Sequence, residues 1–504
     1  MQRQLDVNVG DFLSVRDELF ELDKIKCEGA ILRSKAQYAV EGEKNTAFFL
    51  NLEKTRQSRV YIDKIKNKDG ETVDSFVEIL ENVQNYYEAL FCSEVHNVDL
   101  SEKIVNNLDI KLSNEDKIMC DQILTIKDIN NAIDQLLQNK SPGSDGLTAY
   151  FYVCFRSVLV PILLKLYNDI EIKQVVPDTM AEGLITLLFK KGDRTEMANY
   201  RPITLLNTDY KILMKIFANR FKSVIHTIVS PTQAYSVPGR EVTDIISTIR
   251  DVVEFLKFTN KEGIVLSIDF NKAFDRVEHY FLFRVLEKFN FGERIINWLR
   301  LMYSTATARV KCNGVLTDSF PLQRSVRQGC PMSSILYSLV VEPLSKMIKS
   351  DNLIRGIALP GGNTCVIQQF ADDTTITVQD MSSITRTIEL IHLYGKASGS
   401  VINMTKSEIM FVNSLESSLT EHNFTVQSQH LKILGTYVGK DGRKARDLTW
   451  EEHLRKLEST LNFWRLRNLK LGGKVIIINS LIVSRLYYTL AVLDLPLWVV
   501  KRLE

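Results

Sequence analysis

Three aspartates stand where this sequence could place cation chemistry. In Gly263-Ile-Val-Leu-Ser-Ile-Asp-Phe270 the apolar residues Ile264, Leu266 and Ile268 alternate with Val265, Ser267 and Asp269. The spacing predicts a strand whose closing carboxylate, on Asp269, faces away from the main core. Further on, Thr364 to Val378 is rich in β-branched residues and is broken by Ala371-Asp372-Asp373, the pattern of a hairpin with an acidic turn. Convergent carboxylates hold hard divalent cations such as Mg²⁺, which prefer oxygen ligands and leave positions open for substrate phosphates. A pair of such ions serves phosphoryl transfer, activating the attacking hydroxyl and steadying the leaving oxygen. Each element taken singly also has a plain structural explanation: Asp-Asp is ordinary turn chemistry, and an aspartate after a strand often caps a helix.

Between the acidic elements lies Arg327-Gln-Gly-Cys-Pro-Met-Ser-Ser334. Gly329 permits close backbone approach, and Pro331 suits the first turn of a helix over Ser334 to Leu344. A glutamine beside such a glycine can lie against a flat base or sugar; the alternative is an ordinary helix start.

The elements that must position these groups follow from periodicity. Apolar residues at helical spacing (Phe12, Val15, Leu19, Leu22, Ile25) predict one or two long helices within residues 10–56, and another is expected from Ser75 to Phe91. Ser141-Pro-Gly-Ser-Asp-Gly146 reads as a turn-rich loop. Beyond it come strands at Gly183 to Phe189 and Gly263 to Phe270, helices at Tyr210 to Val229 and Glu278 to Leu286, and a basic helical region from residue 441 onward.

The 504 residues, 45% apolar and 25% charged, leave room for several domains and exclude a disordered or disulfide-stapled chain. Seven cysteines without a C-x-x-C pair fit a reducing compartment and argue against a zinc ribbon. The strongest apolar runs, Ser157 to Tyr167 and Val475 to Val483, are short or broken by charge, so no membrane partner is expected. The net charge of +2 conceals an uneven distribution: Lys190 to Lys222 holds eight basic and three acidic residues, and residues 441–504 hold twelve and seven. Two basic segments of this kind suit a polyanionic nucleic acid.

The ordered series Asn199-Tyr-Arg-Pro-Ile-Thr-Leu-Leu206, Asp269-Phe-Asn-Lys-Ala-Phe-Asp275, Arg327-Gln-Gly-Cys-Pro-Met-Ser333, Phe370-Ala-Asp-Asp373, Ser398-Gly-Ser-Val-Ile-Asn-Met-Thr-Lys-Ser407 and Leu434-Gly435 closely resembles the reverse transcriptase of LINE-type (non-LTR) retrotransposons. The resemblance extends to Glu41-Gly-Glu-Lys-Asn-Thr-Ala-Phe-Phe49, to Lys140-Ser-Pro-Gly-Ser-Asp-Gly146 and to Trp464 through Tyr488. It implies an α+β right-hand polymerase of fingers, palm and thumb, with an antiparallel palm sheet. Residues 1–125 would be a helical N-terminal extension, 126–440 the fingers and palm, and 441–504 a basic, truncated thumb.

Carried over by motif, Asp269, Asp372 and Asp373 become the catalytic, metal-binding residues, served by two Mg²⁺ or Mn²⁺ ions. Arg201, Phe274, Gln328, Gly329 and Lys406 become nucleotide-binding, and Leu434 and Gly435 support the primer terminus. Phe274 would lie under the incoming sugar and clash with a 2′-hydroxyl, which favours DNA synthesis over an RNA-dependent RNA polymerase. Asp275 is expected as an exposed cap or salt-bridge partner. The implied partners are an RNA template, a DNA primer, dNTPs, retroelement RNA and host chromosomal DNA, with an intracellular location in cytoplasm and nucleus.

Ser325 departs from the glycine usual before the Gln-Gly pair, and would strain the loop if φ there is positive. LINE-type elements commonly carry an endonuclease before this region and a Cys/His-rich segment after it. Neither fits here, so a fragment or degenerate copy that cannot nick its own target is expected. A catalytically inactive remnant that only binds nucleic acid is the alternative.

Overall fold

The computed structural model describes residues 61–94, 97–413, 424–465, 467 and 469–504. They belong to a larger compact unit, residues 61–449 with 492–504, and a smaller one of residues 1–60 and 450–491, of which the first stretch is not described. The helices expected over 10–56 and the Glu41 to Phe49 motif lie outside the described residues.

Nine strands of the larger unit matter for the site: β1 (Glu182–Phe189), β2 (Tyr200–Leu206), β3 (Gly263–Ile268), β4 (Thr307–Cys312), β5 (Ile367–Phe370), β6 (Asp373–Val378), β7 (Glu408–Val412), β8 (His430–Ile433) and β9 (Thr436–Gly439). One sheet runs β2-β1-β4, with β1 antiparallel to β2 and parallel to β4, and short strands at Val315–Leu316 and Phe320–Pro321 also paired to β4. The second runs β5-β6-β3-β7, antiparallel throughout, and ends in Thr425–Val426, which pairs parallel to β7. β8 and β9 form a separate hairpin.

The alternation in β3 separates two cores. Ile264, Leu266 and Ile268 enter the main cluster, whereas Val265 joins Met410 and Val412 on the other face. A strand buried on both sides reads as near-continuously apolar; Ser267 interrupts it, and Asp269 follows its end.

The helices divide between those faces. α1 (Phe76–Phe91) places Val83 and Tyr87 in the core of the first sheet beside Ile185 and Val310. α2 (Thr208–Ile228), α4 (His279–Lys288), α5 (Ser333–Ser350) and α6 (Met381–Ser398) bury Phe217, Leu282, Leu339 and Ile391 in the main cluster. α3 (Val242–Phe258) covers the opposite face with Ile249 and Val253, where Leu431, Ile433 and Val438 of the β8–β9 hairpin also pack. The strands and helices expected within the described residues are present within a few residues, and α5 runs six residues past Leu344 to Ser350. α7 (Gly442–Arg465) opens the helical C-terminal region.

The apolar run Val475 to Val483 lies inside a longer helix. Leu471–Val492 is helical throughout, including a π segment at Ile478–Val483, and is long and apolar enough to cross a membrane by length and composition. Lys474 and Arg485 interrupt the apolar run in the sequence but lie within this one continuous helical stretch. Leu471, Val475, Ile478, Tyr487 and Leu490 are exposed.

Candidate active site

The pairing of β6 with β3 sets Thr374 opposite Ile268, so continuing the register by one residue brings Asp373 beside Asp269. β5 and β6 are joined by a two-residue turn, Ala371-Asp372, with Phe370 opposite Asp373. All three aspartates therefore lie at one end of the second sheet. Asp269 is held by both of its main-chain groups: its N–H donates to Ser407 Oγ at 3.2 Å and its C=O accepts from Asn403 N–H at 2.8 Å.

The three carboxylates feel one another. Burial raises the pKa of Asp372, and Asp269 raises it further, while Lys190 and Arg201 act the other way. Asp373 reaches solvent, yet the protein around it strips enough hydration, with repulsion from Asp372 and Asp269 added, to push it up to about 6. Among the described residues no three Asp, Glu, His or Cys side chains form a ready-made cage for an ion. Hard oxygen donors whose anionic forms repel one another are a donor set that a cation would relieve.

Arg201 is exposed on β2, opposite Leu188 of β1, and its field reaches both Asp372 and Asp275. Lys190, the first residue after β1, is fixed by its N–H to Asn199 C=O at 2.9 Å and lowers the pKa of both turn aspartates. In the sequence Lys190 is marked only as one residue of the basic stretch Lys190 to Lys222.

Phe274 stacks on Tyr337 of α5, ring centroids 4.3 Å apart, and meets Tyr235 edge-on at 6.2 Å. No local pattern flags Tyr337 or Tyr235. Asp275 corrects the expectation of an exposed cap or salt-bridge partner. It is buried, and the Gln328 amide donates to both of its oxygens at 3.0 and 3.1 Å. Burial lifts its pKa to about 6 against Lys272, Gln328 and Arg201. Asp275 N–H donates to Lys272 C=O at 2.9 Å and closes the Lys272-Ala-Phe-Asp275 turn.

Gln328 and Gly329 are stitched to β2. Thr204 N–H donates to Gln328 C=O at 2.8 Å, and Gly329 has φ 121°, where a Cβ would stand 2.3 Å from Thr204 O. Arg327 is buried with its guanidinium 4.4 Å from the Tyr210 ring centroid and one N–H on Ala181 C=O. Ser325 has φ 102°, so the strain foreseen for a serine there is present. Its N–H donates to Val277 C=O and its C=O accepts from His279 Nε2, which burial holds neutral by lowering the pKa to about 4.

Lys406 lies in the loop that binds Asp269, its side chain exposed; the link runs through Asn403 backbone, not through the lysine ammonium. Leu434 and Gly435 form the two-residue turn of the β8–β9 hairpin with φ 49° and 87°, the type I′ pattern.

The chain is similar to known proteins. The family model described as reverse transcriptase (RNA-dependent DNA polymerase) matches residues 189–438. The chain is 31% identical over 494 residues, 96% of its length, to the transposon TX1 uncharacterized 149 kDa protein of Xenopus laevis. It is 25% identical over 53% of its length to the retrovirus-related Pol polyprotein from type-1 retrotransposable element R2 of Popillia japonica. It is 24% identical over 50% of its length to a probable RNA-directed DNA polymerase from transposon BS of Drosophila melanogaster. The chain spans 37%, 36% and 27% of the lengths of these curated relatives.

Proposed function

From a chain that carries a reverse transcriptase domain of the LINE-type, non-LTR retrotransposon family, we propose RNA-directed DNA synthesis: extension of a primer 3′-hydroxyl with dNTPs along an RNA template. The observation that carries this reading is the register that gathers Asp269, Asp372 and Asp373 at one end of the second sheet, with Lys190 and Arg201 acting against the rise in the Asp372 pKa. Anionic ligands on one side and cations on the other are what a metal-bound triphosphate requires.

In this reading the second sheet is the palm, the β1-β2-β4 sheet belongs to the fingers, and residues 441–504 to the thumb. Asp269, Asp372 and Asp373 hold two divalent cations, Mg²⁺ or Mn²⁺. When bound, such cations supply activation of the primer hydroxyl and charge neutralisation at phosphorus. Arg201 and Lys190 bind the triphosphate oxygens. Phe274, backed by Tyr337, presents a fixed aromatic wall to the sugar and excludes a 2′-hydroxyl. Gln328, locked by Asp275, faces the nucleotide over Gly329. Leu434 and Gly435 support the primer end, and Lys406 protonates the departing pyrophosphate. Retroelement RNA and host chromosomal DNA are the partners in the cell, met in cytoplasm and nucleus.

The test is dNTP incorporation on a primed RNA template by the full chain beside Asp372→Ala. A loss of two orders of magnitude or more, on the scale set by removing a group that organises transition-state charge, is expected. Equal incorporation by both would sink the assignment. The strain at Ser325 favours a second reading, an inactive nucleic-acid-binding remnant. Salt-sensitive duplex binding without incorporation would select it.

A further inference from the structure

The geometry points to Gln233 as a positioning residue for the acidic turn, acting on Asp372 and Asp373 through the backbone of Ala371. The inference rests on the proposed catalytic role of these aspartates.

A two-residue hairpin leaves the amide of its first central residue outside the ladder. Here that amide belongs to Ala371, since Phe370 pairs with Asp373. Ala371 is only 8% exposed, so bulk water does not serve the group. Gln233 Oε1 does, accepting from Ala371 N–H at 3.3 Å. The same oxygen accepts from Tyr235 N–H at 2.8 Å. Two converging N–H donors dictate the orientation of the amide, because its NH₂ end could satisfy neither.

Gln233 is itself immobilised. It is 1% exposed, its N–H is on Ser230 C=O, and it forms a parallel bridge with Gln369 of β5. On either side of it, Thr232 C=O accepts from Gln369 N–H at 2.7 Å and Ala234 N–H donates to Gln369 C=O at 3.1 Å. The segment is thus stitched to the strand that enters the turn.

The turn needs such support. Ala371 has φ 56°, a region where a residue with a Cβ pays for its place. Tyr235, set by the same oxygen, meets Phe370 edge-on at 5.3 Å and Phe274 at 6.2 Å. One side-chain oxygen therefore fixes both the carboxylate turn and an aromatic neighbour of the ring proposed to lie beneath the sugar.

Gln233→Leu removes the acceptor while keeping an apolar stem in place. In metal-free full chain, hydrogen–deuterium exchange at Ala371 is expected to quicken about tenfold, with little change at α1. In dNTP incorporation, kcat is expected to fall about tenfold or more while KM for dNTP and duplex affinity stay within about threefold. Gln233→Glu, which keeps an accepting oxygen, should hold the turn amide at wild-type exchange. Adding Ala371→Gly to Gln233→Leu should recover part of the lost kcat, because glycine takes positive φ without support. Unchanged exchange at Ala371, or a double variant no better than Gln233→Leu, would overturn the proposal. Should Gln233→Leu not fold, Gln233→Asn, which withdraws the oxygen by one methylene, takes its place with the same outcomes expected. A wild type that incorporates nothing would overturn the catalytic reading instead, and the exchange measurement would still judge Gln233.

Discussion

The turns at Ala371-Asp372 and Leu434-Gly435 both close two-residue hairpins, and both put a non-glycine residue at positive φ in the first central position, 56° and 49°. Their surroundings differ. Gly435, at φ 87°, supplies the second left-handed position with nothing within 4 Å of where a Cβ would be. Asp372 is not left-handed, and Ala371 beside it is buried and tied from behind by Gln233. Leu434 is half-buried against the core beside Leu431 and Val438, and glycine supplies the second left-handed position of its turn; the acidic turn has no glycine and relies on tertiary contacts. Strain held by a surrounding scaffold fixes side chains more closely than a glycine tip can.

The contrast can be broken most visibly by exchanging charge for its isostere. Asp373→Asn should lower dNTP incorporation by two to three orders of magnitude. Gly435→Ala should cost less than about tenfold in incorporation and about 1 kcal/mol in stability. Similar losses in primer-extension assays would mean that the two turns contribute alike. Next in size is a site where space, not turn shape, demands glycine. Gly329→Ala should destabilise the fold by roughly 3 kcal/mol or more in denaturant unfolding, since the new methyl would meet Thr204 C=O.

A smaller, pH-dependent effect is expected at Asp275. Its folded pKa of about 6 lies above the ordinary 3.8, so the folded state binds the proton more tightly. That contribution to stability is present below pH 4 and is lost as the pH rises through 6. Asp275→Asn should therefore gain about 2 kcal/mol at pH 7.5 and almost nothing at pH 4. A pH-independent gain in thermal or denaturant unfolding would contradict the assignment. Smallest is Ser325→Gly. Like Ala371, Ser325 is strained and buried, and relief at φ 102° should stabilise by about 1 kcal/mol. No gain would mean that its two backbone hydrogen bonds already absorb the strain.

The sequence shows the strand that ends at Asp269 and the hairpin that carries Asp372 and Asp373 because both are local: alternation and turn residues lie within a few positions of one another. The inward turn of Asp275 is not local. It depends on Gln328, 53 positions away, and no periodicity records that pairing. Lys190 looks like any surface lysine until β1 and β2 bring it to the acidic turn. Gln233 lies 138 positions from the amide it serves. Helix from residue 441 onward is legible, but the apolar length of Leu471–Val492 is not, because Lys474 and Arg485 interrupt the run without ending the helix.

The two sheets are interleaved along the chain. β1 precedes β3, yet its parallel partner β4 follows, with Gly183 opposite Ala308. β3 in turn finds β6 and β7 only when Val378 and Val412 have been made. A chain emerging from the ribosome therefore carries Gly263–Ile268, an almost wholly apolar strand, with both edges open while its neighbours are still unsynthesised. Pairings of such long span make folding slow, and the nascent protein a natural client for chaperones. They also leave neither sheet able to melt alone, so both should disappear in one cooperative step.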